Sequence, residues 1–237
     1  MCLIFYSYNR HTSKKLLDKF ISFSKIKTDH YLYGGIGFAW IDRVSNKWDY
    51  IRRLKIYENS ESFPQDMLSN RVIVGLIRQT YHGSAKKAIE NVHPFSYRNQ
   101  IFVHNGDTSR FNETSQLFFN DIDKELRTHI KGNTDTEHIF YMFLTIKKQF
   151  DTHETLNDEI DILFKTTELL FQYLRRHYKK FRTNFVYSNK SHSVIVRNSF
   201  SDNAKLLYLN GDPCSDKLLI TSSPVMDTCK LIPNHTI

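Results

Sequence analysis

Arg71-Val72-Ile73-Val74-Gly75-Leu76-Ile77-Arg78 is a short apolar run between two arginines, and it reads as a buried β-strand. Met1 to Tyr8 reads the same way: apolar, aromatic and without helical period. Between these two strands, Thr12 or Ser13 is placed to cap a helix with Leu16, Leu17, Phe20 and Ile21 on one face. Tyr31 to Asp42 is strand-like around Gly34-Gly35-Ile36-Gly37, and Trp48 to Tyr57 follows as its partner. Past the central run, Gln100 to His104 is a short strand ending at Asn105-Gly106, the kind of dipeptide that also makes an ordinary turn. Helices come next. Asn112 to Leu126 is a weak candidate, Thr134-Asp135-Thr136-Glu137 has capping-box spacing, and Asn157 to Tyr178 is amphipathic. The apolar side of that last helix reads as Ile160, Leu163, Phe164, Leu170, Phe171 and Leu174. Strands return at 184–189, 193–197, 205–209 and 217–221. Strands, then helices, then strands, joined by hairpin-length connections, predict an α+β fold of mainly antiparallel sheets covered by helices. There is no repeat, linker or low-complexity tract, so one domain over residues 2–237 is expected.

Composition narrows the function. With 40% hydrophobic and 24% charged residues among 237, the chain is globular rather than disordered. No apolar run approaches the roughly 18 residues of a membrane span, and the N-terminus lacks a secretory signal. A cytoplasmic protein with no membrane partner is therefore expected. Cys2, Cys214 and Cys229 are odd in number and scattered, which excludes a disulfide framework or a CxxC zinc module and fits a reducing compartment. The net charge of +8 admits nucleic acid as a partner, but the charges are spread out and no nucleic-acid-binding motif accompanies them. The densest cluster, Arg175 to Lys180, closes a predicted helix and complements its dipole. Glycine is scarce, at 8 residues, so the surroundings of each one are informative.

Several positions carry chemistry. Cys2 follows the initiator Met; if that Met is removed, a thiol and a free α-amine share one residue. An α-amine has an ordinary pKa near 8, so part of it is neutral at pH 7 and can take the thiol proton. A cysteine in a buried strand is also what an inert small hydrophobe looks like. Arg78 closes the apolar strand with a planar fork suited to a carboxylate, and Gln79-Thr80-Tyr81-His82-Gly83 follows it. Asn105 and Gly106 can supply a side-chain amide and a backbone N–H to a developing oxyanion. Asp135, in a first helical turn, is favoured there as an anion and is suited to a substrate ammonium. Ser222-Ser223-Pro224-Val225 reads as a turn near the site, without readable chemistry.

In this order, the marks resemble the class II glutamine amidotransferase domain of the N-terminal-nucleophile hydrolases. They are Met1-Cys2, Tyr33-Gly34-Gly35-Ile36-Gly37-Phe38, Arg78 to Gly83, Asn91-Val92-His93-Pro94-Phe95, His104-Asn105-Gly106, Gly132 to Glu137 and Ser222 to Val225. All the glycines but Gly75 and Gly211 fall within them. The form of the marks is most similar to the stand-alone branch that includes γ-glutamyl amidohydrolases. The resemblance implies a four-layer αββα sandwich, no cofactor and no metal. It also implies a hydrolase or transferase with glutaminase activity, acting on glutamine or a γ-glutamyl compound through a thioester. Position by position, it implies Cys2 as nucleophile and Asn105 with Gly106 as oxyanion hole. Arg78, aided by His82, would bind the substrate carboxylate, and Asp135 its ammonium.

The chain departs from the family at Leu76, where a histidine is common, a position expected to pack beside the site. Gln79 and Tyr81 replace residues common in the sugar-amidating branch. Ammonia would pass to a separate acceptor or partner subunit, or leave as a by-product. The alternative function is a catalytically degenerate domain acting as a binding or partner subunit.

Overall fold

The computed structural model describes residues 2–8, 12–25, 31–55, 60–81, 87–150, 158–200, 205–212 and 217–237. The strands are β1 (Leu3–Tyr8), β2 (Tyr31–Ile41), β3 (Trp48–Arg53), β4 (Val72–Tyr81), β5 (Phe95–Tyr97), β6 (Gln100–Thr108), β7 (Phe181–Ser188), β8 (Ser193–Ser199), β9 (Tyr208–Asn210), β10 (Leu218–Thr221) and β11 (Lys230–Leu231). The helices are α1 (Lys14–Ser22), α2 (Gln65–Leu68), α3 (Phe111–Asp121), α4 (Lys124–Arg127), α5 (Asp135–Phe150) and α6 (Glu159–His177). They build two antiparallel sheets. One has seven strands in the order β11-β9-β10-β1-β4-β2-β3, and the other four, in the order β5-β6-β7-β8.

Side-chain alternation explains the layering, because successive residues of a strand point to opposite faces. In β1, Leu3 and Phe5 pack with Leu17, Phe20 and Ile21 of α1, while Ile4 and Tyr6 pack against the second sheet. β4 does the same: Ile73 and Ile77 face the α1 side, and Val72, Val74 and Leu76 meet Ile101, Val103 and Val186. Gly75 falls on the α1 face by the same alternation, and glycine fits there because the Phe38 ring occupies the side-chain space; a Cβ would stand 2.1 Å from that ring. On the far side of the second sheet, Phe102 and Phe185 pack against α5 and α6, with the Phe102 and Phe140 rings stacked at 5.3 Å. The layers therefore run helix, sheet, sheet, helix, as the resemblance implies.

Several boundaries differ from the sequence reading. The strand expected to stop at Asn105-Gly106 continues to Thr108, because β7 pairs with it through Thr108↔Phe181. The helix expected over 112–126 is two, α3 and α4, with Asp123 capping the second through Glu125 N and Leu126 N. α1 begins as expected on Ser13, whose hydroxyl accepts from Leu16 N at 3.2 Å. The extension of β3 to Tyr57 and the start of α6 at Asn157 fall on 56–59 and 151–157, outside the described residues. α6 buries Leu163, Leu170, Phe171 and Leu174 of its expected apolar side, but Ile160 and Phe164 are exposed, and Ile162, Thr166 and Thr167 are buried as well.

Candidate active site

The alternation that layers the sheets also gathers the site. Arg78 continues the series Val72, Val74, Leu76 on the inner face of β4, and Cys2 continues Ile4 and Tyr6 on β1. The register pairs Leu3 with Ile77, so one further step sets Cys2 opposite Arg78. From the other sheet, Asn105 continues Ile101 and Val103 on the inner face of β6. The three side chains thus reach one end of the space between the sheets. There they line a cavity of about 420 Å³ together with Gly106, His93 and Asp135.

Each group is held by named contacts. The half-buried Cys2 thiol lies 3.6 Å from the Gln79 carbonyl oxygen, its acceptor. Asn105 Nδ2 donates to Ser222 Oγ at 3.3 Å, and the same oxygen accepts from Ile4 N at 2.9 Å. Ser222 N in turn donates to Ile4 O at 3.0 Å. Ser222, which the sequence left without chemistry, therefore ties β1 to the amide of Asn105. Gly106 sits where β7 passes closest: a Cβ would fall 1.8 Å from Arg182 O.

Asp135 opens α5 and is pinned to the end of β6. Its Oδ2 accepts from Thr108 N at 3.0 Å and its Oδ1 from Thr136 N at 2.8 Å. The turn before it is built by Glu137, whose carboxylate accepts from Lys131 N and Gly132 N at 2.9 and 2.7 Å. The expected capping box is thus half formed: Thr134 Oγ1 accepts from Glu137 N at 3.3 Å, while the Glu137 side chain serves the preceding turn. Asn91 clamps the same turn, donating from Nδ2 to Asn133 Oδ1 at 2.8 Å and accepting from Asn133 N at 3.0 Å. Gly132 is required here, since a Cβ would lie 2.3 Å from Asn91 Oδ1.

Electrostatics sharpen the site. Arg78 is 5% exposed, and its Nη1 has no hydrogen-bond partner among the described residues. Burial lowers its pKa, opposed by the nearby Cys2 and Asp135. His93 is buried, both its ring nitrogens lack a hydrogen-bond partner among the described residues, and burial, then the Arg78 charge, holds it well below the ordinary imidazole pKa. His104 faces the helices instead. Its Nε2 lies 3.2 Å from Arg182 O, so Nε2 carries the hydrogen and Nδ1 accepts from Thr136 Oγ1 at 2.9 Å. Burial lowers the pKa of His104 as well.

Of the expected residues, Cys2, Arg78, Asn105, Gly106 and Asp135 share the cavity; His82 lies outside the described residues. Leu76, expected beside the site, is fully buried between the sheets, one step before Arg78 on the inner face of β4 and in the apolar cluster against which Cys2 packs. The sequence reading did not assign His93, Asn91 and Thr108 to the site, although the first two lie in a mark it singled out. Among the described residues no cluster of His, Cys, Asp and Glu could hold a metal ion, and no helix is long and apolar enough to cross a membrane.

Solved structures share this fold at low identity. A glutamine aminotransferase class-II domain protein from Silicibacter pomeroyi superposes with a TM-score of 0.61 at 18% identity, covering 98% of this chain and 92% of that one. A predicted glutamine amidotransferase from Pseudomonas aeruginosa gives 0.57 at 16%, covering 99% and 94%. Glutamine phosphoribosylpyrophosphate amidotransferase from Bacillus subtilis gives 0.61 at 14%, and the match covers 98% of this chain but 44% of that one. A probable glutamine amidotransferase of Saccharomyces cerevisiae, DUG3, is 41% identical over 54 residues, which is 23% of this chain and 15% of the yeast protein's length. Residues 19–212, which include Arg78, Asn105, Gly106 and Asp135 and begin after Cys2, match the family of class-II glutamine amidotransferases, and the chain belongs to that family.

Proposed function

We propose that the protein is a cysteine amidohydrolase of the N-terminal-nucleophile type, cleaving the γ-amide of glutamine or of a γ-glutamyl compound. The observation that carries this reading is the convergence of Cys2, Arg78, Asn105, Gly106 and Asp135 on one cavity. A glutamyl group has a carboxylate and an ammonium on one carbon, and the cavity offers a buried guanidinium and a carboxylate to match. The Cys2 α-amine, once unblocked, takes the thiol proton, and Sγ attacks the γ-carbonyl carbon. Asn105 Nδ2 and the Gly106 N–H donate to the oxyanion. Collapse of the tetrahedral intermediate breaks the C–N bond. The leaving amine takes the proton from the Cys2 ammonium, leaving a γ-glutamyl thioester, and water then hydrolyses it to glutamate.

The alternative is a catalytically degenerate domain, marked by an apolar Leu76 where a histidine is common in the family. A diazo-ketone analogue of glutamine tests the reading directly. Intact-mass measurement is expected to show Met1 absent and a single adduct, mapped to Cys2 and lost in Cys2→Ala. Retained Met1, or no adduct on a folded chain, would favour the degenerate domain.

A further inference from the structure

A second cavity, of about 400 Å³, adjoins the first and shares Phe111, Asn112 and Asn133 with it. His138 of α5 lines it and is 7% exposed. Its Nδ1 lies 3.0 Å from the Thr134 carbonyl oxygen. A carbonyl oxygen only accepts, so Nδ1 carries the hydrogen and Nε2 keeps its lone pair. Nε2 has no hydrogen-bond partner among the described residues. The rings of Phe111, Phe118 and Phe119 stand 5.0, 6.2 and 6.2 Å from the imidazole and hold its plane. Burial lowers the pKa of His138 below the ordinary 6.5, which keeps the ring neutral and Nε2 accepting at pH 7.

The remaining polar walls are the amides of Asn112, Gln116 and Asn133 and the hydroxyl of Ser115; no charged side chain lines the cavity. An ion there would gain no opposite charge from these walls, so an uncharged occupant suits them better. Aromatic rings beside the His138 acceptor favour a flat partner with one donor. We propose that this cavity is a second ligand site, taking a small uncharged ring-bearing molecule that donates an O–H or N–H hydrogen bond to His138 Nε2. The site stands independently of the Cys2 chemistry, although its occupant would touch Asn133, two residues before Asp135.

Phenol and toluene are matched probes, alike in ring and differing in the donor. Titrated into the full chain and followed by saturation-transfer NMR, phenol is expected to bind about tenfold more tightly than toluene, the worth of one net hydrogen bond. His138→Phe should reduce phenol to the level of toluene, and His138→Gln, which keeps an acceptor, should restore part of the difference. Cys2→Ala should leave phenol binding unchanged, which separates this site from the amidohydrolase reading. If His138→Phe does not fold, the ¹⁵N resonance of His138 Nε2 in the wild type decides: phenol should shift it and toluene should not. Equal binding of the two probes, no binding of either, or an unmoved Nε2 resonance would overturn the proposal.

Discussion

At the scale of single residues, Arg78 carries a cost of burial. A guanidinium that is 5% exposed, with Nη1 unpartnered, has lost water without gaining a full set of acceptors. The charges of Cys2 and Asp135 offset part of that loss, and a substrate carboxylate would offset more. Arg78→Met should therefore melt at a higher temperature than the wild type without ligand, while raising the KM for glutamine by about 10²-fold or more. Thermal melts and steady-state kinetics check both; a lower melting temperature would mean that Arg78 is already well paired. Asn105 and Ser222 divide labour on the other wall. Asn105→Ala should lower kcat by roughly 10²–10³ with little change in KM, the usual consequence of losing one oxyanion donor. Ser222→Ala removes the oxygen that accepts from both Ile4 N and Asn105 Nδ2, so it should cost about 1–2 kcal/mol of stability and a smaller part of kcat. Equal losses of kcat in the two variants would show that the Asn105 amide serves only as an anchor.

At the scale of elements, local pattern carried the strands that alternate and the helices that have caps. β1, β4 and α1 are close to their expected spans because the apolar spacing and the Ser13 cap are properties of a few adjacent residues. β5 and β11, of three and two residues, are too short to show a period. The extension of β6 past Asn105-Gly106 depends on β7, more than 70 residues later, and no local signal reveals it. The site divides in the same way. Cys2, Arg78, Asn105 and Asp135 were legible from residue type and position, whereas the Ser222 bridge and the Asn91–Asn133 clamp join segments remote in sequence. α6 misleads for another reason: hydrophobicity names Ile160 and Phe164 as its inner face, yet they are 59% and 49% exposed while Thr166 and Thr167 are fully buried. Thr167 Oγ1 donates to Leu163 O at 2.8 Å, but Thr166 Oγ1 has no hydrogen-bond partner among the described residues. Replacing that hydroxyl by a methyl group of the same shape removes an unsatisfied polar group. Thr166→Val should therefore raise the unfolding free energy by about 1 kcal/mol in a urea titration, and Thr167→Val should not.

At the scale of the whole molecule, the helix-sheet-sheet-helix stack buries three imidazoles, His93, His104 and His138, and burial lowers the pKa of each. In the unfolded chain they protonate near the ordinary 6.5, so below that value the unfolded state binds more protons than the folded one. The stability they contribute is full above pH 6.5 and is lost as the pH falls toward the folded values. Each imidazole adds a slope approaching about 1.4 kcal/mol per pH unit in that window. Glu137, whose pKa burial raises, works in the opposite sense: its contribution is present below its ordinary 4.5 and fades as the pH rises through the folded value. Between pH 7.5 and 5.5 the urea midpoint should therefore drop steeply. His93 has no hydrogen-bond partner on either ring nitrogen among the described residues, and its neighbour Arg78 opposes its charged form, so His93→Gln should flatten the drop by about one third. A midpoint unchanged across this range would mean that the buried imidazoles gain protons as readily in the folded chain as in the unfolded one.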